Sequence, residues 1–323
     1  MSGAPNVAVV VPATDGSPTL ERCLAAVRAS TEPPEELIVV TEPHGAGPAE
    51  ARNLGAAGAG TELLVFIDAD VEIHPDALAR VRSAFASDAS LTALFGSYDD
   101  RPADPGLVSQ FRNLLHHHVH TSSPGEASTF WAGLGAIRRE AFIAAGGFDA
   151  ARFASAAIED IELGLRLSED GGRITLDPLV RGTHLKRWSL GDFLRTDLLR
   201  RGIPWVRLQL ERRSAPTALN LGWRHRLSAL CSLSAVVALA MRRPLAAAAS
   251  ALGLLALNRR FYGLLERTGG VKLALAGVPL HMLHHLASVA ALVTGVAQHA
   301  LSHEHGAPRP AGERAPEQPR PPA

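Results

Sequence analysis

The chain has 323 residues, enough for one large domain or two smaller ones, and its 32 Lys and Arg residues balance its 32 Asp and Glu residues. Zero net charge argues against a nucleic-acid partner, and two distant cysteines in apolar contexts argue against a disulfide-stapled secreted domain. The first six residues are uncharged, and strand-like residues follow at once, so we expect no secretory signal peptide. The charge is unevenly spread, since residues 181–226 contain eleven Lys or Arg and only three Asp or Glu.

The N-terminal part alternates short apolar runs with helical patterns. These segments predict, in chain order, a strand at 7–11, a helix at 20–30, a strand at 37–40, a helix at 49–57 and a strand at 63–67. A β-α-β-α-β succession is typical of a doubly wound α/β nucleotide-binding fold. Right-handed crossovers would bring the ends of the three strands to one edge of the sheet.

Two carboxylates, Asp68 and Asp70, follow the third of these strands and are separated by one alanine. Ligands of open α/β sheets bind outside the carboxyl ends of the strands, so this pair marks a candidate site. Two hard oxygen ligands suit Mg²⁺ or Mn²⁺, which would in turn hold a substrate diphosphate. An isolated D-x-D more often only opens a loop or caps the next helix, so the later segments decide between the two interpretations.

The following segments predict further α/β structure. In chain order they are a helix at 76–85, a strand at 91–97, a polar loop at 99–105, a short strand with two glycines within 129–140, a helix at 139–145, a helix from 158 onward, a strand at 173–176 and a turn at 182–184. Acidic residues in the first turn of the helix that begins near 158 would favour its dipole, which is an alternative to a catalytic role for them.

Four histidines, at positions 116, 117, 118 and 120, invite a metal interpretation. We favour a non-metal role, because consecutive histidines on a helix point in different directions and no second ligand set at zinc spacing accompanies them. We expect this region to form a mobile loop over the active site.

Taken in order, these segments resemble the family 2 glycosyltransferases, inverting enzymes of the GT-A fold. The resemblance spans residues 7–205 and consists of matching stretches at 9–12 with 20–24, 51–55 (A-R-N-L-G), 66–70 (F-I-D-A-D), 133–139 with 146–149, and 159–167 (E-D-x-x-L-x-x-R-L). Each stretch alone is weak, but their order and spacing together make a strong signal. The resemblance implies a metal-assisted transferase that uses a nucleotide sugar.

The resemblance also implies roles for particular residues. Asp68 and Asp70 would hold the divalent cation (Mg²⁺ or Mn²⁺) on the sugar nucleotide, with His184 as a further metal ligand. For His184 an ordinary core or interface position remains the alternative. Asp160 would be the general base that takes the acceptor proton, and its neighbour Glu159 is the second catalytic candidate.

Residues that would contact the nucleotide sugar or the acceptor complete the set. The nucleotide-sugar contacts are Pro12, Ala13, Glu42, Arg52 and Asp68, and the acceptor-side residues are Gly133, Gly135 and Trp205. A UDP-sugar is favoured, although the Asp usual after the second strand is replaced around residues 41–42, which leaves the nucleotide open. Polymerising relatives carry Q-x-x-R-W, of which only Trp205 survives at 201–205, so we predict transfer of one sugar or a few.

The C-terminal part predicts membrane association. Residues 184–213 alternate basic and apolar side chains, as in an amphipathic helix in the headgroup region. Apolar runs at 227–241, 245–257 and 273–301 predict two or three transmembrane helices, with a soluble helical bundle as the alternative. Excess Lys and Arg places the catalytic domain on the cytoplasmic side of the cytoplasmic membrane.

The predicted organisation is a GT-A domain at 1–185, basic interfacial helices at 186–226, a transmembrane region at 227–301 and a disordered tail at 302–323. The predicted function is transfer of a sugar from a nucleotide sugar to a hydroxyl of a lipid or glycan acceptor. The alternative is a non-catalytic membrane scaffold or sugar-nucleotide-binding protein of the same fold. A nucleotidyltransferase is disfavoured, because no glycine-rich basic loop follows the first strand.

Overall fold

A computed structural model describes residues 4–212 and 222–305 of the chain. The strands are β1 (Val7–Pro12), β2 (Glu36–Val40), β3 (Leu63–Ile67), β4 (Val71–Ile73), β5 (Leu91–Tyr98), β6 (Gly125–Ala127), β7 (Leu134–Arg138) and β8 (Arg173–His184). The helices of the first part are α1 (Leu20–Arg28), α2 (Pro48–Gly58), α3 (Ala77–Ser87), α4 (Leu107–Thr121), α5 (Arg139–Ala144) and α6 (Glu159–Glu169).

The second part of the chain is helical. It comprises α7 (Leu190–Arg195), a π-helical segment (Thr196–Gly202), α8 (Ile203–Arg212), α9 (Trp223–Ala240), α10 (Pro244–Leu257) and α11 (Arg259–His305), which is kinked at Gly270. Most of the tail predicted at 302–323 lies outside the described residues.

The strands form one mixed sheet in the order β2-β1-β3-β7-β5-β8-β4, with β6 paired to β8. β1 is parallel to both β2 and β3, which confirms the predicted β-α-β-α-β succession. β7 then runs antiparallel between β3 and β5, so the sheet is mixed rather than wholly parallel. All five residues of β3 are buried, because the strand lies inside the sheet with both faces covered.

Two regions differ from the sequence-based expectation. The strand predicted at 173–176 continues to His184, so the predicted turn at 182–184 is wrong. This longer strand pairs with β5 through a shift in register and then with β4, which keeps its final residues in the sheet. The histidine region is not a mobile loop, since it forms helix α4 and buries Phe111 and Leu114.

The described residues contain two large apolar cores. The first surrounds the sheet and includes β1, β3 and β7 with the helices beside them. The second joins α4 to the C-terminal helices; its buried members are Phe111, Leu114, Leu115, Phe193, Phe261, Tyr262, Leu265, Leu273 and Leu280. Helix α4 therefore lies between the sheet and the C-terminal helices and packs against both.

Among the described residues, one helix is long and apolar enough to cross a membrane by length and composition, Arg259–Ser302 within α11. α10 is apolar but shorter, so the expectation of two or three spans is reduced to one candidate. Helices α9 to α11 also carry fifteen of the twenty-two large apolar side chains that are exposed in the described structure.

Candidate active site

The end of β3 places two carboxylates at one edge of the sheet. The Asp68 backbone N–H donates to the carbonyl of Gly133 at 3.1 Å, which ends the strand pairing with the segment before β7. The backbone carbonyl of Asp70 accepts from Leu185 N–H at 2.8 Å, so the end of β8 lies beside it. The side chains of Asp68 and Asp70 stay 32% and 25% exposed, open enough to meet a ligand.

Arg52 is the buried centre of the site. It projects from α2 with only 5% of its side chain exposed, and it donates to Asp68 Oδ1 at 2.7 Å and to Glu159 Oε1 at 2.9 Å. These two ion pairs join α2, the end of β3 and the first turn of α6. Burial opposes the charged form of Arg52, but the charges of Asp68, Glu159 and Asp160 keep its pKa raised.

His184 lies at the end of β8, opposite Val71 in the register of β4 and β8. Its Nδ1 donates to Asn113 Oδ1 at 2.6 Å, and its Nε2 is 3.4 Å from Asp70 Oδ2. Burial would raise the pKa of Asp70, but the hydrogen bond and charge of His184, together with Lys186, hold it below the usual value. The structure therefore brings His184 and the carboxylates together, although they are far apart in sequence.

Asp160 and Glu159 are adjacent in sequence but differ in their surroundings. Both carboxylate oxygens of Glu159 are engaged, Oε1 by Arg52 and Oε2 by the Ala157 N–H at 2.9 Å. Asp160 is half-buried and accepts backbone N–H bonds from Ala132 at 3.1 Å and Ile161 at 2.8 Å. Burial and the charge of Glu159 raise the pKa of Asp160 to about 6, against the opposing charge of Arg52.

The predicted nucleotide contacts lie at the ends of β1 and β2. Ala13 is buried and its N–H donates to Val40 O at 2.8 Å, and Pro12 precedes it at the end of β1. Glu42 follows β2 in an exposed loop, where its carboxylate is 3.0 Å from Nε2 of His44. That loop is joined to the end of β1 by the Thr14 hydroxyl, which donates to Ala46 O at 2.6 Å.

The predicted acceptor-side glycines lie against aromatic side chains of their own segment. A Cβ on Gly133 would be 2.5 Å from the Trp131 ring, and a Cβ on Gly135 would be 2.5 Å from the Phe130 ring. Their lack of side chains thus makes room for these two rings. Trp205 lies on α8 and packs in a small apolar cluster with Ile158, next to Glu159 and Asp160 in sequence.

Tyr98, which the sequence analysis did not single out, and His116, for which it favoured a non-metal role, also lie at the site. Tyr98 stacks on His184 with ring centroids 4.3 Å apart, and His116 lies 4.3 Å from Tyr98 and 4.6 Å from Trp131. Burial lowers the pKa of His116 well below its usual value, with a further contribution from the His120 charge. A neutral aromatic wall therefore stands beside the carboxylates.

Two further polar residues were missed. Asn113 orients His184, as described above, and Arg201 of the π-helical segment is exposed, with no hydrogen bond or ion pair within the described part of the chain. The Arg201 charge is close enough to act on two carboxyl groups. It opposes part of the rise in the pKa of Asp160 and contributes to the lowered pKa of Asp197. No local sequence pattern indicates Asn113, whereas Arg201 lies within the basic stretch already noted.

The geometry combines three chemical capacities in one crevice. Two carboxylates and an imidazole nitrogen form a donor set for a divalent cation. A half-buried carboxylate with a raised pKa is available to exchange a proton near neutral pH. An aromatic wall and an exposed arginine lie beside them, so the crevice can accommodate both a polar ring and an anionic group.

Comparisons with known proteins identify the class. Residues 38–145 match the family model described as Glycosyl transferase family 2. The match covers about a third of the chain; it identifies residues 38–145 as a segment similar to that family and the protein as a glycosyltransferase. No curated protein sequence matches the chain.

One solved structure supports the fold, and a second has a weaker likeness. Mannosyltransferase PcManGT from Pyrobaculum calidifontis, in complex with GDP-Man and Mn²⁺, is 20% identical over 92% of this chain and 88% of its own, with a TM-score of 0.54. GalNAc-T7 with UDP, GalNAc and Mn²⁺ is 16% identical over 65% of this chain and 48% of its own, with a TM-score of 0.48. The first likeness and the family match confirm the predicted GT-A fold.

Proposed function

We propose that the protein is an inverting glycosyltransferase that moves a sugar from a nucleotide sugar to a hydroxyl group of a lipid or glycan acceptor. The observation that carries the proposal is the environment of Asp160. It is a half-buried carboxylate with a pKa of about 6, hydrogen-bonded to the backbone of Ala132 beside the D-x-D carboxylates. A group with such a pKa is largely ionised at neutral pH and still basic enough to take a proton.

The residues present fit a divalent cation. Nδ1 of His184 donates to Asn113, so Nε2 is the ring nitrogen that faces Asp70 Oδ2, 3.4 Å away. A divalent cation between these two atoms would take the place of a proton shared by them. Asp68, Asp70 and His184 would hold the ion, Mn²⁺ or Mg²⁺, which neutralises charge on the diphosphate leaving group when bound.

In this proposal Asp160 accepts the proton of the acceptor hydroxyl as its oxygen attacks the anomeric carbon. Attack and departure of the nucleoside diphosphate on opposite faces invert the configuration at that carbon. The Ala132 N–H and the Ile161 N–H fix the orientation of the carboxylate, leaving its remaining lone pairs for the acceptor.

We propose a positioning role for Glu159 instead of the catalytic role that the sequence suggested. Its side chain is only 6% exposed, and its two oxygens are held by the Arg52 guanidinium and the Ala157 N–H, so it is not accessible to an acceptor. We assign it to positioning: it holds Arg52, which in turn holds Asp68. Its negative charge also raises the pKa of Asp160.

We further propose that Pro12, Ala13 and Glu42 border the nucleotide, and that Gly133, Gly135 and Trp205 border the acceptor. The ends of β1 and β2 are the usual place for a nucleotide in a doubly wound fold. The known structures with GDP-Man and with UDP do not distinguish a guanosine from a uridine donor for this chain. The preference for a UDP-sugar therefore stays a prediction.

The membrane assignment is also part of the proposal. The concentration of exposed apolar side chains on α9 to α11 is what a lipid-facing surface requires and a water-facing surface avoids. We place α7 and α8 in the headgroup region, α11 in the bilayer, and the domain of residues 1–185 in the cytoplasm, facing the cytoplasmic membrane. The rival function is a scaffold that binds a sugar nucleotide without transferring the sugar.

The decisive experiment measures donor turnover by the purified full chain in detergent. UDP- and GDP-sugars are offered with Mn²⁺ or Mg²⁺, and release of the nucleoside diphosphate is followed with and without EDTA. We expect turnover of one donor class, lost in EDTA and in Asp70→Asn. A donor that binds by calorimetry but is never turned over, with acceptor extracts present, would establish the scaffold function instead.

A further inference from the structure

Three histidines meet where the C-terminal helices join the rest of the protein, outside the D-x-D crevice. His225 is in the first turn of α9, and His284 and His285 are adjacent on α11. One ligand-capable nitrogen from each lies within 4.8 Å of the others, the only such set of metal-ligating groups in the described residues. The His225 ring is 4.8 Å from His285 and 5.6 Å from His284, measured between centroids.

The His285 ring is buried in the cluster, and its nitrogens lack hydrogen-bond partners. Only 2% of the residue is exposed, and neither of its ring nitrogens has a hydrogen-bond partner. A buried imidazole always carries at least one N–H or one lone pair that needs a partner, so such groups are rarely left unsatisfied. An ion bound to one of these two nitrogens would give that nitrogen a partner.

His284 is held in the orientation of a metal ligand. Its Nδ1 is 2.6 Å from Asp197 Oδ2, and Asp197 Oδ1 is held in turn by Arg112 at 2.8 Å. When Nδ1–H donates to a carboxylate, the lone pair of the neutral ring is on Nε2. A carboxylate behind a histidine is the usual support of a metal-bound imidazole, because it fixes the tautomer and raises the ligand basicity.

We propose that His225, His284 and His285 bind one Zn²⁺ ion that fastens α9 to α11. Three neutral imidazoles suit Zn²⁺, whereas Mn²⁺ and Mg²⁺ prefer oxygen ligands such as those of the D-x-D crevice. Zn–N bonds of about 2.0–2.1 Å in a tetrahedral site place the ligand atoms roughly 3.4 Å apart. The three side chains therefore close by about 1.4 Å or less from the distances seen here.

The neighbouring His281 is not assigned to the site. Its Nδ1 is 3.1 Å from the Tyr262 hydroxyl, and its ring lies 4.4 Å from the His285 ring, tilted by 36°. The fourth coordination position is left for water. The chain from the ion through His284, Asp197 and Arg112 reaches α4, so the ion would link the C-terminal helices to the domain that carries the crevice.

The test starts from the full-length chain in detergent, in an Asp70→Asn background that removes the oxygen-ligand site. After treatment with a chelator and its removal, Zn²⁺ is titrated by calorimetry and bound metal is counted by mass spectrometry. We expect one Zn²⁺ per chain, and none after a further His285→Asn or His225→Asn change. His44→Ala, an exposed histidine on the loop after β2, is the matched control and should still bind one ion.

A second measurement needs no histidine variant and so does not depend on how the variants fold. Co²⁺ replaces Zn²⁺, and its visible absorption reports tetrahedral nitrogen ligands, while X-ray absorption of the Zn²⁺ form reports imidazole scattering. Loading should also raise the melting temperature, because the ion binds the folded chain. A stripped chain that takes up no Zn²⁺, or an ion surrounded only by oxygen atoms, would overturn the proposal.

Discussion

At the scale of single residues, Asp160 is the most informative position. Asp160→Asn retains an oxygen that can accept the Ala132 N–H bond, so donor binding and folding should survive. Loss of a general base typically costs about 10²–10⁴-fold in rate, and we expect transfer to fall by that factor. The initial rate of transfer to a verified acceptor measures the expected loss of activity. The donor affinity, measured by calorimetry, shows whether donor binding survives. Near-normal transfer would remove Asp160 from the proposed role.

The pH dependence of the same residue gives a second prediction. A base with a pKa of about 6 is protonated in more acidic solution, so the transfer rate should decline as pH falls through about 6. Arg201→Gln removes a positive charge that lowers the pKa of Asp160, and should shift this limb of the profile to higher pH. Arg200→Gln, next to it in the sequence, is the control and should leave the limb in place.

The stability of the folded protein should depend on pH in the opposite direction from the transfer rate, because of the same Asp160 carboxyl. Because its pKa in the folded protein is higher than the ordinary carboxyl value of 3.8, the folded state binds the proton more tightly than the unfolded state. Stability therefore falls as pH rises between these two values. The Asp160→Asn variant avoids this loss, and its melting temperature above pH 6 should equal or exceed that of the wild type. A lower melting temperature would mean that the charged carboxylate stabilises the fold.

Asn113 gives a fourth prediction, because it would orient the proposed metal ligand His184 without touching the ion itself. Asn113→Ala frees Nδ1 of His184 and should raise the metal concentration for half-maximal activity by about 10–100-fold, as expected for a lost supporting hydrogen bond. The maximal rate at saturating metal should change much less. Gln110→Ala, on the same helix and bonded to the Pro105 carbonyl, serves as control. Equal metal dependence in the two variants would contradict the assignment.

At the scale of secondary-structure elements, Arg52 ties α2, β3 and α6 together. Arg52→Met leaves Asp68 and Glu159 facing each other without a counter-charge. Breaking a buried ion pair of this kind typically costs about 3–5 kcal/mol, and we expect a loss of that order in the free energy of unfolding. Adding Glu159→Gln should recover part of it, which a double-mutant cycle measures.

The matched control for Arg52 is an exposed ion pair. Arg22 of α1 pairs with Glu72 of β4, and their side chains are 60% and 38% exposed. Arg22→Met should cost no more than about 1 kcal/mol, because water screens such pairs. Equal losses for the two arginine variants would show that the pairs around Arg52 do not carry the connection between the elements.

The elements also show how far the sequence could predict the fold and the site. β3 and its carboxylates were predictable, because a wholly buried strand reads as an uninterrupted apolar run. The end of β8 was not, since Gly182-Thr183-His184 has turn-like residues and only the pairing with β4 keeps it extended. Glu159 and Asp160 look alike in sequence, and only contacts with residues far along the chain distinguish their surroundings.

At the scale of the whole molecule, the exposed apolar side chains of α9 to α11 predict where the protein resides. The full-length chain should sediment with membranes and resist extraction by alkaline carbonate, because α11 carries a run long enough to cross the bilayer. Fractionation followed by immunoblotting measures this, with a peripheral membrane protein as the control that carbonate removes. A chain that stays in the soluble fraction without detergent would favour the helical-bundle alternative.

Helix α4 has a consequence for how the protein unfolds. One part of it contacts the crevice through Asn113 and His116, while Phe111 and Leu114 belong to the apolar core formed with α7 and α11. Unfolding of either core would expose the apolar surface of α4 that packs in that core, and α4 also contacts the other part of the molecule. Melting should therefore be cooperative across both halves, and a cut after residue 185 would leave an aggregation-prone fragment rather than an independent domain.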